Sequence, residues 1–270
     1  MSDFKDEEFV ILDVETTGLS PLSGDRIVEI GLLKIKDEKI TARFEALVNP
    51  GREISYGAFL VNRITQEMLQ GAPEVHTILT DVLDFIGGFC LVGHNIKFDL
   101  GFLNHELSLA GYAPLGDILA IDTGKMARSL LPALGSYALG NLAYSLNISP
   151  ENHHRAMGDA QITFKVFKKL LHIAKSKNIY HPDTLSYLFG IQKPSLRRNH
   201  SKMQLIRQAL EAKKRLNLVY FGAESGMTQR QVTPLELVGS GRQATLIAFC
   251  HLRNEERNFK IERILNLEKG

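Results

Sequence analysis

The amino-acid sequence predicts an α/β fold, a mixed sheet flanked by helices, with a second small β-barrel domain preceded by a helix. Three observations carry that expectation. Short Val/Ile/Leu-rich runs alternate with segments of helical periodicity over most of the chain. A stretch rich in turn formers and cations then breaks the pattern at about 176–200. Beyond it a single basic helix leads into several alternating strands.

The runs Phe9–Val14, Ile27–Ile35 and Ala42–Val48 read as three neighbouring strands. Their connections are too short for crossover helices, so the strands are expected to be antiparallel. Residues 75–87 place Val75, Ile78, Leu79, Val82 and Ile86 on one side of a helix. Cys90–Val92 then reads as a buried strand, Phe98–Gly111 as a helix and Ile118–Ile121 as another strand. Helical patterns follow at 136–146 and 155–175. Elements of this kind pack as a sheet with helices laid against it.

Asn178, Pro182, Gly190 and Pro194, with Arg197 and Arg198, mark a boundary. The helix Lys202–Arg215 turns Leu205, Ile206, Ala209 and Leu210 to one face. Leu218–Phe221, Gln231–Val238, Ala244–His251 and Asn258–Ile264 alternate like strands. One helix and several short strands in some seventy residues suggest a small β-barrel. The expected division is a domain over 1–176, a linker over 177–201 and an accessory domain over 202–270.

Composition narrows the classes. The chain has 270 residues, 44% hydrophobic and 23% charged, the make-up of a soluble globular protein. It holds no run of the ~20 apolar residues that a membrane span needs, so no membrane partner is expected. The opening MSDFKDEEF is acidic and lacks the apolar core of a secretory signal. Cys90 and Cys250 have no metal-ligand spacing and read as buried apolar side chains, which points to the cytoplasm. Charge is divided unevenly. Residues 1–192 hold 17 Lys and Arg against 23 Asp and Glu, whereas residues 193–270 hold 15 against 7. An acidic body before a region of net +8 suggests that the C-terminal part meets a polyanion.

The chemistry concentrates in carboxylates. Asp13 and Glu15 stand two apart at the end of the first strand, so both project from one face. Adjacent carboxylates repel unless a cation sits between them. Mg²⁺ or Mn²⁺, which take oxygen ligands, fit such a pair. Asp99 falls at a strand–helix junction after His94-Asn95-Ile-Lys-Phe98. Asp159 opens the last helix of the body, and His154, five residues earlier, is placed on the loop before it. Four acids and a His at element ends fit two-metal phosphodiester hydrolysis with a base that deprotonates water.

The segments DxETTGL, HNxxFDxxFL and HRAxxDA, in this order, resemble the three motifs of the DEDDh (DnaQ-like) exonuclease family over about residues 8–172. The resemblance implies an RNase H-like fold and hydrolysis of single-stranded nucleic acid from a 3′ end, with DNA ahead of RNA. The products would be nucleoside 5′-monophosphates. It implies that Asp13, Glu15 and Asp159 hold one divalent metal, Asp13 and Asp99 a second, and that His154 is the general base. For substrate binding it implies Thr16, Thr17, Gly18 and Leu19, with Phe98 flanking the terminal base beside Leu19. Core packing would explain Phe98 equally well. His94 and Asn95 are counted with these substrate-binding positions, His94 as a structural or supporting residue and Asn95 as fixing the turn before the helix. Glu29 matches a frequent family position. Where many relatives have His-Gly, this chain has Asn62-Arg63, and Asn62 keeps a hydrogen-bonding group for the terminal nucleotide.

From about residue 202 the chain resembles a WYL domain, a small Sm-like (SH3-like) barrel. The resemblance rests on Leu218-Val-Tyr220-Phe, Arg230-Gln-Val-Thr-Pro234-Leu, Thr245 to Arg253, and Arg257-Asn-Phe259-Lys-Ile-Glu-Arg263-Ile. The namesake Trp-Tyr-Leu reads Ala244-Thr245-Leu246 here, and Glu262 stands where Asp is usual. It implies that Tyr220, Arg230, Arg253, Arg257 and Arg263 meet nucleic acid or a nucleotide-like ligand, guanidinium on phosphate. Pairing of Arg257 and Arg263 with Glu255, Glu256 and Glu262 is the plainer alternative. Two other functions compete with a stand-alone nuclease. One is a catalytically silent nucleic-acid-binding or ligand-sensing regulator; the other is a proofreading or repair subunit that works with a polymerase partner.

Overall fold

The computed structural model describes residues 8–116, 118–149, 154–176, 179, 182–191, 196–222, 226–239 and 244–270. The chain divides into two compact units, Met1–Pro182 with Leu188–Ile191 and Asp183–Tyr187 with Gln192–Gly270.

The first unit is built on a five-stranded mixed sheet ordered β3-β2-β1-β4-β5. Strand β1 (Glu8–Thr16) pairs antiparallel with β2 (Ile27–Lys36), which pairs antiparallel with β3 (Lys39–Leu47). This is the arrangement expected from the short connections. On its other side β1 pairs parallel with β4 (Cys90–Gly93), and β4 with β5 (Ala120–Asp122).

Alternation along β1 places the sheet between two helical layers. Val10, Leu12 and Val14 join a buried cluster with Val75, Leu79 and Val82 of α2 (Val75–Ile86) and Leu100 and Leu103 of α3 (Lys97–Leu109). Phe9 turns the other way and meets Phe167 of α6 (Ala156–Ser176) edge-on, with ring centroids 5.2 Å apart. Asp13 and Glu15 share the face of Phe9 and so point towards the α6 side. Gly31 of β2 brings that helix close. A Cβ there would lie 2.6–2.7 Å from backbone atoms of Ala156 and Met157, so only glycine lets the first turn of α6 rest on the sheet.

Several short elements escape the sequence pattern. Helices α1 (Tyr56–Asn62), α4 (Thr123–Leu130) and α7 (Pro182–Phe189) are too short to register as periodic. The last of these lies inside the expected linker 177–201; Asn178 and Pro194 of that boundary lie outside the described residues. The expected helix 136–146 is confined to α5 (Leu139–Ser145).

In the second unit α8 (Leu196–Glu211) starts six residues before the expected Lys202. Its Met203, Ile206 and Ala209 pack on Leu216, Leu218, Val232 and Leu246. Five antiparallel strands follow in the order β10-β6-β7-β8-β9. They are β6 (Leu216–Gly222), β7 (Gly226–Val238), β8 (Thr245–Cys250), β9 (Glu255–Lys260) and β10 (Ile264–Lys269). The expected single strand Asn258–Ile264 is thus two strands, split by a 3-10 turn at Ile261–Arg263. Tyr220 of β6 reaches Phe259 of β9 edge-on at 5.1 Å, so the sheet is curled. Among the described residues no pairing joins β9 to β10, and the unit stands as an antiparallel sheet.

Candidate active site

The acids meet where the parallel part of the sheet ends. Pairing of β1 with β4 stops at Ile11 opposite Val92. The Val14 N–H beyond that point has no strand to donate to, and it donates to Asp99 Oδ1 at 3.0 Å. Open ends of parallel strands are where α/β folds bind ligands. Asp99 reaches this place from the first turn of α3 and is buried, as is Asp159 in the first turn of α6. Carboxylate oxygens of Asp13, Glu15 and Asp159 all lie within 4.8 Å of one another.

Crowding shifts their protonation. Burial, then the charges of Asp99, Asp159, Glu15 and Glu29, raise Asp13 well above the usual carboxylate range. Burial, then Asp159 and Glu29, raise Glu15 to about 8, against a hydrogen bond from Asn62 that lowers it. Burial also dominates at Asp99, raised to about 7, with Asp122 and Asp159 adding repulsion while the Val14 N–H opposes them. Such a site is short of positive charge.

These residues floor an open cleft of about 760 Å³. Thr16, Gly18, Leu19, Asn62, His94, Asn95, Phe98 and His154 also line it. His154 is exposed and sits on the loop before α6, in the left-handed region at φ 70°. Its backbone N–H lies 3.4 Å from Asp159 Oδ1. Leu19 is 86% exposed at the mouth, and Phe98 is half-buried, 4.9 Å from Phe102 between ring centroids. Phe98 therefore serves the core and the cleft together.

Other candidates are engaged within the protein. Thr17 is fully buried; its hydroxyl donates to Asp25 Oδ1 at 3.3 Å and accepts from the Arg26 N–H at 3.0 Å. The structure thus holds the Thr17 hydroxyl inside the protein, which a reading of the motif alone did not anticipate. Asp25 also explains Gly18, where a Cβ would lie 2.4–2.5 Å from its carboxylate. Asn62 donates through Nδ2 to the Thr16 carbonyl at 3.3 Å and accepts from the Ile64 N–H at 3.0 Å. His94 places Nδ1 2.9 Å from the Thr123 hydroxyl and Nε2 2.9 Å from the Tyr137 carbonyl. Burial lowers its pKa, which suits a neutral ring donating from Nε2. Asn95 adopts φ 62° at the turn into α3.

Two features were not legible in the sequence. Arg26 grips Glu106 of α3 with Nε and Nη2, each 2.7 Å from a carboxylate oxygen. Arg155 grips fully buried Glu29 through Nε at 3.1 and 3.0 Å, and the Ala156 N–H adds a bond at 2.9 Å. The partners lie 80 and 126 residues apart, beyond any local pattern.

In the second unit, Tyr220 packs on Phe259, and its hydroxyl accepts from the Lys260 N–H at 3.4 Å. Arg230 is buried, with Nε 3.2 Å from the Thr228 hydroxyl and Nη1 3.7 Å from Cys250 Sγ. Arg253 and Arg257 are exposed, Arg263 is half-buried, and Arg257 lies 3.6 Å from Glu255. Both cysteines are buried and reduced.

A sheet flanked by helices, with clustered acids at its parallel end, is the arrangement that the sequence motifs lead one to expect. The exonuclease (RNase T) family model matches residues 10–167, and the WYL domain model matches 201–269. The chain belongs to the DnaQ-like exonuclease family and carries a C-terminal WYL domain. It is 36% identical over 198 residues to the PolC-type DNA polymerase III of Clostridium perfringens, covering 72% of this chain and 14% of that protein. It is 34% identical over 165 residues to the 3′-5′ exonuclease DinG of Bacillus subtilis, covering 61% of this chain and 18% of that protein. The match thus spans a minor part of these relatives. Among solved structures, Exonuclease X in complex with 5′ overhanging duplex DNA aligns at TM-score 0.53 and 28% identity, over 67% of this chain and 98% of that one. E. coli Exonuclease I with a dT13 oligonucleotide shares the fold at TM-score 0.60 and 20% identity, over 90% and 55%. Among the described residues no helix is long and apolar enough to cross a membrane.

Proposed function

We propose that this protein is a divalent-metal-dependent exonuclease that removes nucleotides one at a time from the 3′ end of single-stranded DNA. The observation that carries the reading is the carboxylate cluster of Asp13, Glu15 and Asp159, all within 4.8 Å, on the floor of an open cleft. The donor set fits the metal: oxygen ligands only, whose mutual repulsion a hard cation relieves. Asp13, Glu15 and Asp159 would hold one Mg²⁺ or Mn²⁺, and Asp13 with Asp99 a second. Bound there, the cations supply Lewis acidity and offset the charge that builds on phosphate oxygens during hydrolysis.

The chain's own groups do the rest. His154 takes the proton from the attacking water as that oxygen bonds to phosphorus and the bond to the 3′-oxygen of the preceding nucleotide breaks. The product leaves as a nucleoside 5′-monophosphate. Leu19 and Phe98 flank the terminal base without reading it, and Asn62 steadies Glu15 and the Thr16 carbonyl.

For the WYL unit we propose contact with nucleic acid or a nucleotide-like ligand, supported by net +8 over residues 193–270 and by exposed Arg253 and Arg257. The curl of its sheet and the helix before it support reading the unit as an Sm-like barrel. The PolC-type match favours a second reading, proofreading delivered to a polymerase partner. The test is digestion of 5′-labelled single-stranded DNA and RNA with Mg²⁺ or Mn²⁺, beside Asp99→Ala and an EDTA control. A DNA ladder shortening from the 3′ end, absent in both controls, is expected. Intact strands with folded protein would overturn the reading.

A further inference from the structure

Strand β2 and the residue before it hold both helices that bring distant acids to β1. Arg26 grips Glu106, seven residues and two turns along α3 from Asp99. The second grip is much nearer the chemistry. Glu29 stands opposite Glu15 in the β1–β2 ladder, so both project from the same face. It is fully buried; both its oxygens accept from Arg155 Nε, Oε1 accepts also from Arg155 Nη2 at 2.5 Å, and Oε2 accepts from the Ala156 N–H. Arg155 directly follows His154. The Arg155 carbonyl also accepts from the Asp159 N–H at 2.8 Å, closing the first turn of α6. Glu29 therefore holds the one point of the backbone from which His154 and Asp159 both diverge.

A carboxylate is a costly choice at that place. It adds negative charge beside crowded acids, and apolar packing would fix α6 to the sheet without it. What an apolar contact lacks is direction. A guanidinium fork bound to a carboxylate, with a backbone N–H on the same group, fixes both distance and angle. The geometry points to Glu29 and Arg155 as a positioning pair that sets His154 and Asp159 in register with Asp13 and Glu15, a role that rests on the exonuclease reading. Neither side chain touches the reacting atoms. Arg26 and Glu106 have the same chemistry but grip α3 two turns from Asp99, so they serve as the more distant counterpart.

The experiment compares Arg155→Gln, the double variant Glu29→Gln/Arg155→Gln, and Arg26→Gln, each in the full chain. Arg155→Gln leaves Glu29 buried without its counter-charge, so it loses stability as well as geometry. The double variant removes that charge and keeps an amide oxygen for the Ala156 N–H, so its Tm recovers. On 5′-labelled single-stranded DNA, kcat of the double variant is expected to stay about 10–100-fold below wild type with KM within about two-fold. Arg26→Gln, whose grip lies farther from the acids, is expected to lower Tm with a smaller loss of kcat than the double variant. If kcat in the double variant recovers with Tm, the pair only holds the fold and the inference is overturned. Calorimetric titration with Mn²⁺ alone is the second arm. It should show at least about ten-fold weaker binding in the double variant, and equal binding would overturn the inference. A wild type that binds Mn²⁺ yet cuts nothing would count against the exonuclease reading and leave this arm to decide the pair.

Discussion

Two sets of acids on the same frame of sheet and helices are treated in opposite ways. Glu29 and Glu106 each face a guanidinium fork, and the pairing raises the pKa of Arg155 and Arg26 in turn. Asp13, Glu15 and Asp99 are held out of water and face other carboxylates, and their pKa values rise, burial first and repulsion after it. The same side-chain chemistry therefore gives anchors in one place and a cation-seeking floor in the other. The first set spends its charge on fixing helices; the second keeps its charge for a ligand. A fold that had only to be stable would not gather carboxylates without a counter-charge at one strand end.

Four substitutions or conditions test the difference between the two sets of acids and between the two units. The largest effect is expected from Asp159→Asn, which removes a charge from the floor. Cleavage should fall on the order of 10³-fold or more, while metal-free Tm stays level or rises because repulsion is relieved. Single-turnover digestion and a thermal melt check the two halves. Next comes Gly31→Ala, whose Cβ would strike the Ala156 and Met157 backbone. Displacement of α6 should cost about 1–3 kcal/mol and on the order of 10² in kcat, read by denaturant melts and steady-state kinetics.

Third is pH. The native values of about 8 for Glu15 and about 7 for Asp99 lie above their unfolded ones, so the native state holds more protons between roughly pH 4 and 8. Stability without metal is full below that window and is lost as pH rises through it. Tm should fall on the order of several °C from pH 5 to 8.5, and millimolar Mn²⁺ at pH 8.5 should restore it. A flat metal-free profile would mean the floor is neither desolvated nor crowded. The smallest effect belongs to the other unit. Arg253→Ala or Arg257→Ala should weaken DNA binding a few-fold and reduce the salt slope by about 1 each, measured by anisotropy across a salt series.

The contrast also separates what the sequence makes legible from what it hides. Asp13-x-Glu15 is readable because strand side chains repeat every two residues, and Asp99, His154 and Asp159 because each lies in a short dense motif. The three leading strands are readable from their apolar runs. Arg26–Glu106 and Arg155–Glu29 are not, since burial and pairing across 80 and 126 residues exist only once the sheet has formed. Thr17 reads as a hydroxyl offered to substrate, yet the return of Asp25 and Arg26 to the strand end encloses it. Helices of seven or eight residues such as α1, α4 and α7 span too few turns to show a period. The split of β9 from β10 rests on a three-residue turn of ordinary composition, Ile261–Arg263.

The central claim, that the acid floor is built for divalent cations, is tested most directly by calorimetric titration of Mn²⁺ into the wild type and Asp13→Asn at pH 7.5. Saturable binding is expected in the wild type, weakened at least about ten-fold in the variant while both remain folded. Equal binding by the two proteins, or no binding by the wild type, would contradict it.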